Sequence, residues 1–147
     1  MSTRINHHQV NMAAVQSLAG IYQHVTSIDP KLRALVELRV SQINGCAFCV
    51  DMHSTQARAE GETQQRLDCL VAWRESPFYT DRERAAFAWA EAVTRIAETH
   101  APDEAYTPLL EHFSEKEIVD LTLIISVMNT WNRLAISLRK EPAPRAQ

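Results

Sequence analysis

Asn44-Gly45-Cys46-Ala47-Phe48-Cys49-Val50-Asp51-Met52-His53 stands where one helical pattern ends and another begins. Asn-Gly is a typical helix end, because glycine readily adopts the left-handed conformation that closes a helix. The chain has only three glycines, and no Asn-Gly turn separates alternating apolar runs. Apolar side chains instead recur at spacings of three and four residues. The sequence therefore predicts an all-α fold in which this stretch joins two helices.

Further helical patterns extend on both sides of this junction. Thr80-x-x-Glu83 and Ser114-x-x-Glu117 have the form of capping boxes that begin helices. The last helix has so little polar surface that it should be buried on most sides, centrally or at a subunit interface. The helices are expected over residues 10–25, 30–44, 46–60, 63–75, 80–96, 104–112 and 114–138.

Length and composition indicate one globular domain. The 147 residues are 46% hydrophobic, which is enough for one substantial core. We expect a single domain over residues 1–140 and a tail without order over residues 141–147. The net charge of -3, without a basic cluster, argues against nucleic acid as a partner.

The sequence has no recognisable targeting or membrane-spanning segment. Residues 1–10 carry charged and polar side chains where a signal peptide needs an apolar run. The longest apolar stretch, residues 121–128, is too short to cross a bilayer. We therefore expect a cytoplasmic protein with no membrane partner, and the odd number of cysteines fits a reducing compartment.

The Cys-x-x-Cys stretch combines three groups suited to redox chemistry. Helical spacing of 100° per residue turns Cys46, Cys49 and His53 toward one site. A helix N-terminus favours negative charge and so should lower the pKa of both thiols. His53 can accept the thiol proton, and a thiolate that attacks a peroxide forms a sulfenic acid, which a second thiol converts into a disulfide.

Other interpretations of the motif account for it less well. A purely structural pair remains open, because buried cysteine often serves as a small apolar side chain. Zinc would need a fourth ligand, so we expect no metal. Val50 excludes a c-type haem, which requires histidine directly after the second cysteine. No βαβ pattern surrounds the motif, which argues against a thioredoxin fold.

Several chemistry-bearing residues outside the motif have no partner visible in the sequence. We expect Cys69 to pack in the core, and His7 and His8 to be ordinary surface histidines. Trp131 fits a core stripe better than a substrate platform. Three polar residues interrupt the most apolar helix, where they could form a core network, a subunit contact or a substrate pocket: Asn129, Asn132 and Arg133.

The sequence over residues 37–54, together with Trp131-Asn-Arg-Leu-Ala-Ile136, resembles the AhpD-like alkylhydroperoxidases of the carboxymuconolactone decarboxylase superfamily. The resemblance is densest over residues 35–61. It implies an AhpD-like helical bundle that assembles into homo-oligomers, commonly dimers, trimers or hexamers. It also implies a thiol-dependent peroxidase that uses no organic cofactor.

The resemblance assigns roles to four residues. Cys49 resembles the peroxidatic cysteine, Cys46 the resolving cysteine and His53 the residue that relays the thiol proton. AhpD itself has a glutamate twelve residues before the first cysteine, where this chain has Ala34. Glu37 follows one turn later on the same helix and is expected to replace it.

The resemblance leaves the substrate, the reductant and the reaction class open. Ser41 is a candidate hydrogen-bonding partner of Glu37. A hydroperoxide is the expected substrate, with a lipoyl protein or a peroxiredoxin as the source of thiols. The alternatives are a redox-sensing or scaffold protein without efficient turnover, and a decarboxylase-like lyase of the same superfamily. The lyase reaction needs no dithiol, so the paired cysteines argue against it.

Overall fold

A computed structural model describes residues 2–144, and over these residues it contains α-helices and short 3₁₀ turns but no strand. The expected all-α class is confirmed. The helices are α1 (His7–Val10), α2 (Met12–Gly20), α3 (Pro30–Asn44), α4 (Ala47–Ala59), α5 (Gln64–Cys69), α6 (Asp81–Thr94), α7 (Ile96–Thr99), α8 (Asp103–His112) and α9 (Glu115–Ser137).

Helix α3 lies at the centre of the bundle and packs against α4, α6 and α9. The Asp29 side chain accepts a hydrogen bond from the Leu32 amide at 2.9 Å, and Pro30 occupies the first turn, so the helix begins as its sequence predicts. Leu35 and Leu38 are almost completely buried in the core. Each buried leucine contributes about 1.5–3 kcal/mol through the hydrophobic effect.

The expected ends of the other principal helices follow the same capping chemistry. Thr80 with Glu83 and Ser114 with Glu117 form complete capping boxes, as predicted. The Thr63 side chain accepts a hydrogen bond from the Arg66 amide and caps α5. These caps fix where α5, α6 and α9 begin, because they satisfy amide groups that a helix start leaves without partners.

Three expected helices are shorter than predicted. The helix expected over residues 10–25 is α2, which begins after its cap residue Asn11 and ends at Gly20, where a 3₁₀ turn follows. The helix expected over residues 63–75 is α5, which ends at Cys69 and continues only as a 3₁₀ turn over Leu70–Ala72. The helix expected to reach Ile96 ends at Thr94, and Ile96 is 54% exposed. Arg95 leaves the helical conformation there, and the Thr99 hydroxyl donates a hydrogen bond back to the Ala92 carbonyl.

Buried polar side chains connect the end of α3 to α9. The Asn44 amide donates hydrogen bonds to Asn129 at 2.9 Å and to Asn132 at 2.8 Å. Asn132 donates to the Ser41 hydroxyl, while Arg133 binds the carbonyl and side chain of Asn129. Asn129 and Asn132 therefore form a core network beside the Cys-x-x-Cys turn, and Arg133 binds it from the exposed side.

The two chain ends are only partly described. Residues 141–144 form neither helix nor strand, and residues 145–147 of the expected tail lie outside the described residues. The Arg4 amide donates a hydrogen bond to the Leu138 carbonyl, so the start of the chain lies against the end of α9. Within residues 2–144, no helix combines the length and the apolar character that crossing a bilayer requires.

Candidate dithiol active site

The two motif cysteines form a disulfide at the start of α4. Cys46 is the cap residue, and its sulfur accepts a hydrogen bond from the Cys49 amide at 3.3 Å. Gly45 turns the chain with a φ of 69°, and the Cys46 amide donates to the Ser41 carbonyl at 3.1 Å. After reduction, a thiolate at this position would face unpaired amides and the positive end of the α4 dipole.

A histidine and a carboxylate from adjacent helices meet beside the disulfide. His53 lies on α4, one turn after Cys49, and its Nδ1 is 3.4 Å from the Glu37 Oε2 on α3. The same Nδ1 lies 3.1 Å from the Gln56 Oε1. Because both neighbours are oxygen acceptors, the neutral ring carries its proton on Nδ1. His53 Nε2 is buried and has no hydrogen-bond partner among the described residues.

The surroundings of His53 favour a neutral imidazole. Burial lowers the pKa of His53 below its ordinary value of 6.5, and the positive charge of Arg33 adds to this effect. The Glu37 carboxylate and the Gln56 hydrogen bond oppose it. With a lone pair at Nε2 near neutral pH, His53 can act as a base toward a group in the site.

Glu37 is bound by Arg33 of its own helix, and Tyr22 from the 3₁₀ turn after α2 lies against this pair. Arg33 Nε donates to Glu37 Oε1 at 3.1 Å, and the Arg33 guanidinium lies 3.9 Å from the centre of the Tyr22 ring. Burial and the nearby Glu37 charge raise the pKa of Tyr22, so its hydroxyl stays protonated. The carboxylate side of the site therefore combines a guanidinium, a phenol and an imidazole.

A cavity of about 420 Å³ adjoins these groups and is lined by Cys49, His53 and Glu37. Much of its remaining wall is apolar or aromatic, with contributions from α2, α4 and α9. Those side chains include Val15, Ala19, Tyr22, Phe48, Met52, Met128 and Trp131. The cavity can therefore accept an organic molecule next to the reactive sulfur.

The structure brings together Cys49, His53 and Glu37, which the sequence analysis selected. Cys46 is bonded to Cys49 but lines an adjacent groove with Arg139, so of the two cysteines only Cys49 lines the cavity that contains His53.

The structure also tests three expectations about other individual residues. Ser41 is a hydrogen-bonding partner of Glu37, as expected, but its hydroxyl donates to the Glu37 backbone carbonyl at 2.8 Å and not to the carboxylate. Cys69 is partly exposed rather than packed in the core, because it ends the short helix α5 at the surface. His7 is half-buried and His8 is exposed, as expected for surface histidines, but both also line the cavity, because the start of the chain folds against the end of α9.

The sequence analysis missed several residues around Glu37 and His53. Arg33 precedes Glu37 by four residues and Gln56 follows His53 by three, so helical spacing could have identified both. Tyr22 and Trp131 come from distant segments, and no local pattern marks them as cavity residues. Within residues 2–144, no three His, Cys, Asp or Glu side chains form a group that could hold a metal ion.

The fold and the site define a class of all-helical proteins with a Cys-x-x-Cys pair at a helix start. The sequence model of the carboxymuconolactone decarboxylase family matches residues 11–92, which is more than half of the chain. The chain belongs to this family, and its fold is AhpD-like.

Relatives cover nearly the full length of the chain. The uncharacterized protein YdfG of Bacillus subtilis is 41% identical over 147 residues, which cover 99% of this chain and 100% of YdfG. The Agrobacterium tumefaciens protein ATU0492, of unknown function and provisionally described as the antioxidant defence protein AhpD, has a crystal structure with a TM-score of 0.94. It is 42% identical, and the match covers 98% of this chain and 100% of that one.

A more distant structural relative shares only the fold. The debrominase Bmp8 has a TM-score of 0.80 at 21% identity, over 90% of this chain and 73% of its own. This likeness shows the fold and carries no inference about the activity of this chain.

Proposed function

We propose that this protein is a thiol-dependent peroxidase that reduces alkyl hydroperoxides through a Cys46–Cys49 disulfide cycle, as part of antioxidant defence. The main support is the buried Glu37–His53 pair, which shares an apolar cavity with Cys49. The description of ATU0492 points to the same class of activity. The reaction needs neither a metal nor an organic cofactor.

In the first step, His53 Nε2 accepts the Cys49 thiol proton and Glu37 stabilises the resulting imidazolium. The thiolate attacks the terminal oxygen of the hydroperoxide, and the O–O bond breaks. The alkoxide leaves as an alcohol after it takes the proton from His53. Cys49 is thereby oxidised to a sulfenic acid and the peroxide is reduced.

In the second step, Cys46 attacks the sulfenic sulfur of Cys49 and water leaves. One hydroperoxide and two thiols have then become one alcohol, one water and the disulfide that the fold accommodates. A dithiol reductant must restore the thiols before the next cycle. A lipoyl protein or a peroxiredoxin is the class of partner that we propose for this step.

Mass spectrometry combined with a turnover assay tests the proposal. The reduced protein is treated with one equivalent of cumene hydroperoxide, and peptides are mapped before and after a dithiol reductant is added. We expect a reversible disulfide between Cys46 and Cys49, with peroxide consumption over many cycles. The Cys69→Ser variant is the control, because this thiol lies outside the cavity.

The same assay separates the alternative functions. A disulfide that forms without turnover would favour a redox-sensing or scaffold role. Thiols that do not react with the peroxide would exclude the peroxidase and leave a structural pair. A decarboxylase-like lyase would keep its activity when either cysteine is replaced.

We also propose that the chain forms a homo-oligomer. Several apolar side chains of α9 and of the N-terminal segment are more than a third exposed: Ile5, Val10, Met12, Val119, Leu123 and Ile136. Apolar surface of this kind is often covered by another subunit. Analytical ultracentrifugation would show a single species heavier than the 16.7 kDa chain, whereas a monomer at all concentrations would contradict this proposal.

A further inference from the structure

A cluster of basic side chains lies at one edge of the cavity that contains Cys49. Lys140 Nζ is 3.3 Å from His8 Nε2, and the rings of His7 and His8 are 4.4 Å apart. All three residues line the cavity, although they come from opposite ends of the chain. The Lys140 ammonium therefore supplies the positive charge of this edge, and the two imidazoles lie beside it.

Lys140 is held in a position that faces both the cavity and an aromatic wall. Its ammonium lies 4.0 Å from the centre of the Phe48 ring, and Phe48 directly precedes Cys49. The Lys140 amide donates a hydrogen bond to the Ala135 carbonyl at 2.9 Å, which fixes its backbone at the end of α9. The ammonium is thus anchored close to the reactive cysteine.

Lys140 has no acidic ion-pair partner in the part of the chain that the structure describes. Among the ion pairs of residues 2–144, none includes Lys140. Glu37 is the sole carboxylate in the described cavity wall, and it is paired with Arg33 and His53. Among residues 2–144, the cavity wall therefore carries one ammonium that no carboxylate pairs with, in a chain whose net charge is -3.

These observations divide the cavity into three parts: the Cys49–His53–Glu37 group, an apolar wall and a cationic edge. We propose that its substrate is an organic hydroperoxide with an apolar body and a carboxylate remote from the O–O bond, and that Lys140 binds this carboxylate. The identity of the substrate rests on the proposed peroxidase function. The carboxylate-binding position of Lys140 can be tested without turnover.

Calorimetric titration of the oxidised protein tests the carboxylate site directly. The probes are decanoate and decanamide, which share an apolar chain and differ in charge. We expect decanoate to bind about fivefold to tenfold more tightly, which is typical of one partly buried ion pair. Equal affinities, or a failure of decanoate to bind, would overturn the proposal.

Two variants locate the charge responsible. Lys140→Met should remove the preference for decanoate, and Lys140→Gln should have the same effect with a polar side chain. Arg139→Met is the matched control, because it removes the neighbouring positive charge, which does not line the cavity. A preference that survives both Lys140 substitutions, or is lost in Arg139→Met, would contradict the assignment.

A turnover comparison connects this site to the proposed function. The kcat/KM for a linoleic acid hydroperoxide should exceed that for its methyl ester by about the same factor in the wild-type protein. Turnover of cumene hydroperoxide without this preference would refute the inference but support the peroxidase. Preferential binding of decanoate without any peroxide turnover would refute the peroxidase but keep the anion site.

Discussion

The Glu37 carboxylate lies 3.4 Å from the His53 imidazole, although the position where AhpD has its relay glutamate is occupied here by Ala34. Glu37 is one helical turn further along α3, on the same side as residue 33, whose guanidinium binds it. Glu37 therefore contacts His53 of α4 from a position three residues after Ala34 on the same helix.

Glu37→Gln tests whether this contact supports proton transfer. The substitution keeps the shape but removes the charge that raises the pKa of His53. We expect kcat/KM for cumene hydroperoxide to fall by about tenfold to a hundredfold at neutral pH, with the acidic limb of the pH profile shifted to lower pH. Glu62→Gln is the control, because this buried glutamate also pairs with an arginine, Arg66, but lies away from the cavity. An unchanged pH profile in Glu37→Gln would show that Glu37 has a structural role and does not tune the pKa of His53.

Replacement of each motif cysteine should separate the two chemical steps. Cys49→Ser should abolish peroxide consumption, because no thiolate then lies beside His53. Cys46→Ser should still allow one peroxide to react, which leaves a sulfenic acid on Cys49 that a dimedone adduct reveals. An unchanged rate in Cys49→Ser would refute the assignment of Cys49. A sulfenic acid on Cys46 of the wild-type protein would instead exchange the roles of the two cysteines.

The fold could be predicted where caps and apolar spacing agree. The ends of α3 and the starts of α6 and α9 follow from Pro30, Gly45 and the two capping boxes. The N-terminal helix was predicted to reach residue 25 but ends at Gly20, because apolar spacings of three and four residues fit both an α-helix and the 3₁₀ turn that follows. Only its contacts with the rest of the fold decide between these outcomes.

The site could be predicted only where its residues are close in the sequence or covered by a family resemblance. Cys46, Cys49 and His53 lie on consecutive turns, and the resemblance directed attention to Glu37. Tyr22 reaches the site from another segment, because the 3₁₀ turn after α2 folds against α3. Such long-range placement follows from packing, which leaves no periodic signal in the sequence.

The buried His53 should make the stability of the fold depend on pH. Its pKa is lowered in the folded state, so the unfolded chain binds a proton more readily. The contribution of His53 to the free energy of unfolding is therefore complete at pH values above the ordinary histidine pKa of about 6.5, and it declines as the pH falls below that value. The buried Asp120 and Glu91 have lowered pKa values, so their contributions are lost only at more acidic pH.

Urea unfolding at pH 7.5 and pH 5.5 measures this effect. We expect the free energy of unfolding of the wild-type protein to be lower at pH 5.5, and most of this difference to disappear in His53→Gln. An equally large decrease in both proteins would assign the pH dependence to other groups.

The Asn44–Asn129–Asn132 network should contribute to stability in proportion to its burial. Asn132→Ala leaves the Asn44 amide and the Ser41 hydroxyl each without one partner in the core. We expect a loss of about 1–3 kcal/mol in the free energy of unfolding. Thr130→Ala, on the exposed side of α9, is the control and should change it by less than about 0.5 kcal/mol. Equal effects of the two substitutions would show that the network adds no stability.

Two glycines offer a paired test of the turn that carries Cys46. Gly45 has a φ of 69°, whereas Gly20 has a helical φ of -61°, and an added Cβ meets no atom within 4 Å at either position. Gly45→Ala should therefore destabilise the protein by about 1–2 kcal/mol through backbone strain alone. Gly20→Ala should stabilise it by about 0.4–1 kcal/mol, because the unfolded chain loses conformational freedom.

Chemical denaturation of both variants measures these changes. Effects of the same sign would contradict the left-handed conformation at Gly45, on which the orientation of Cys46 depends.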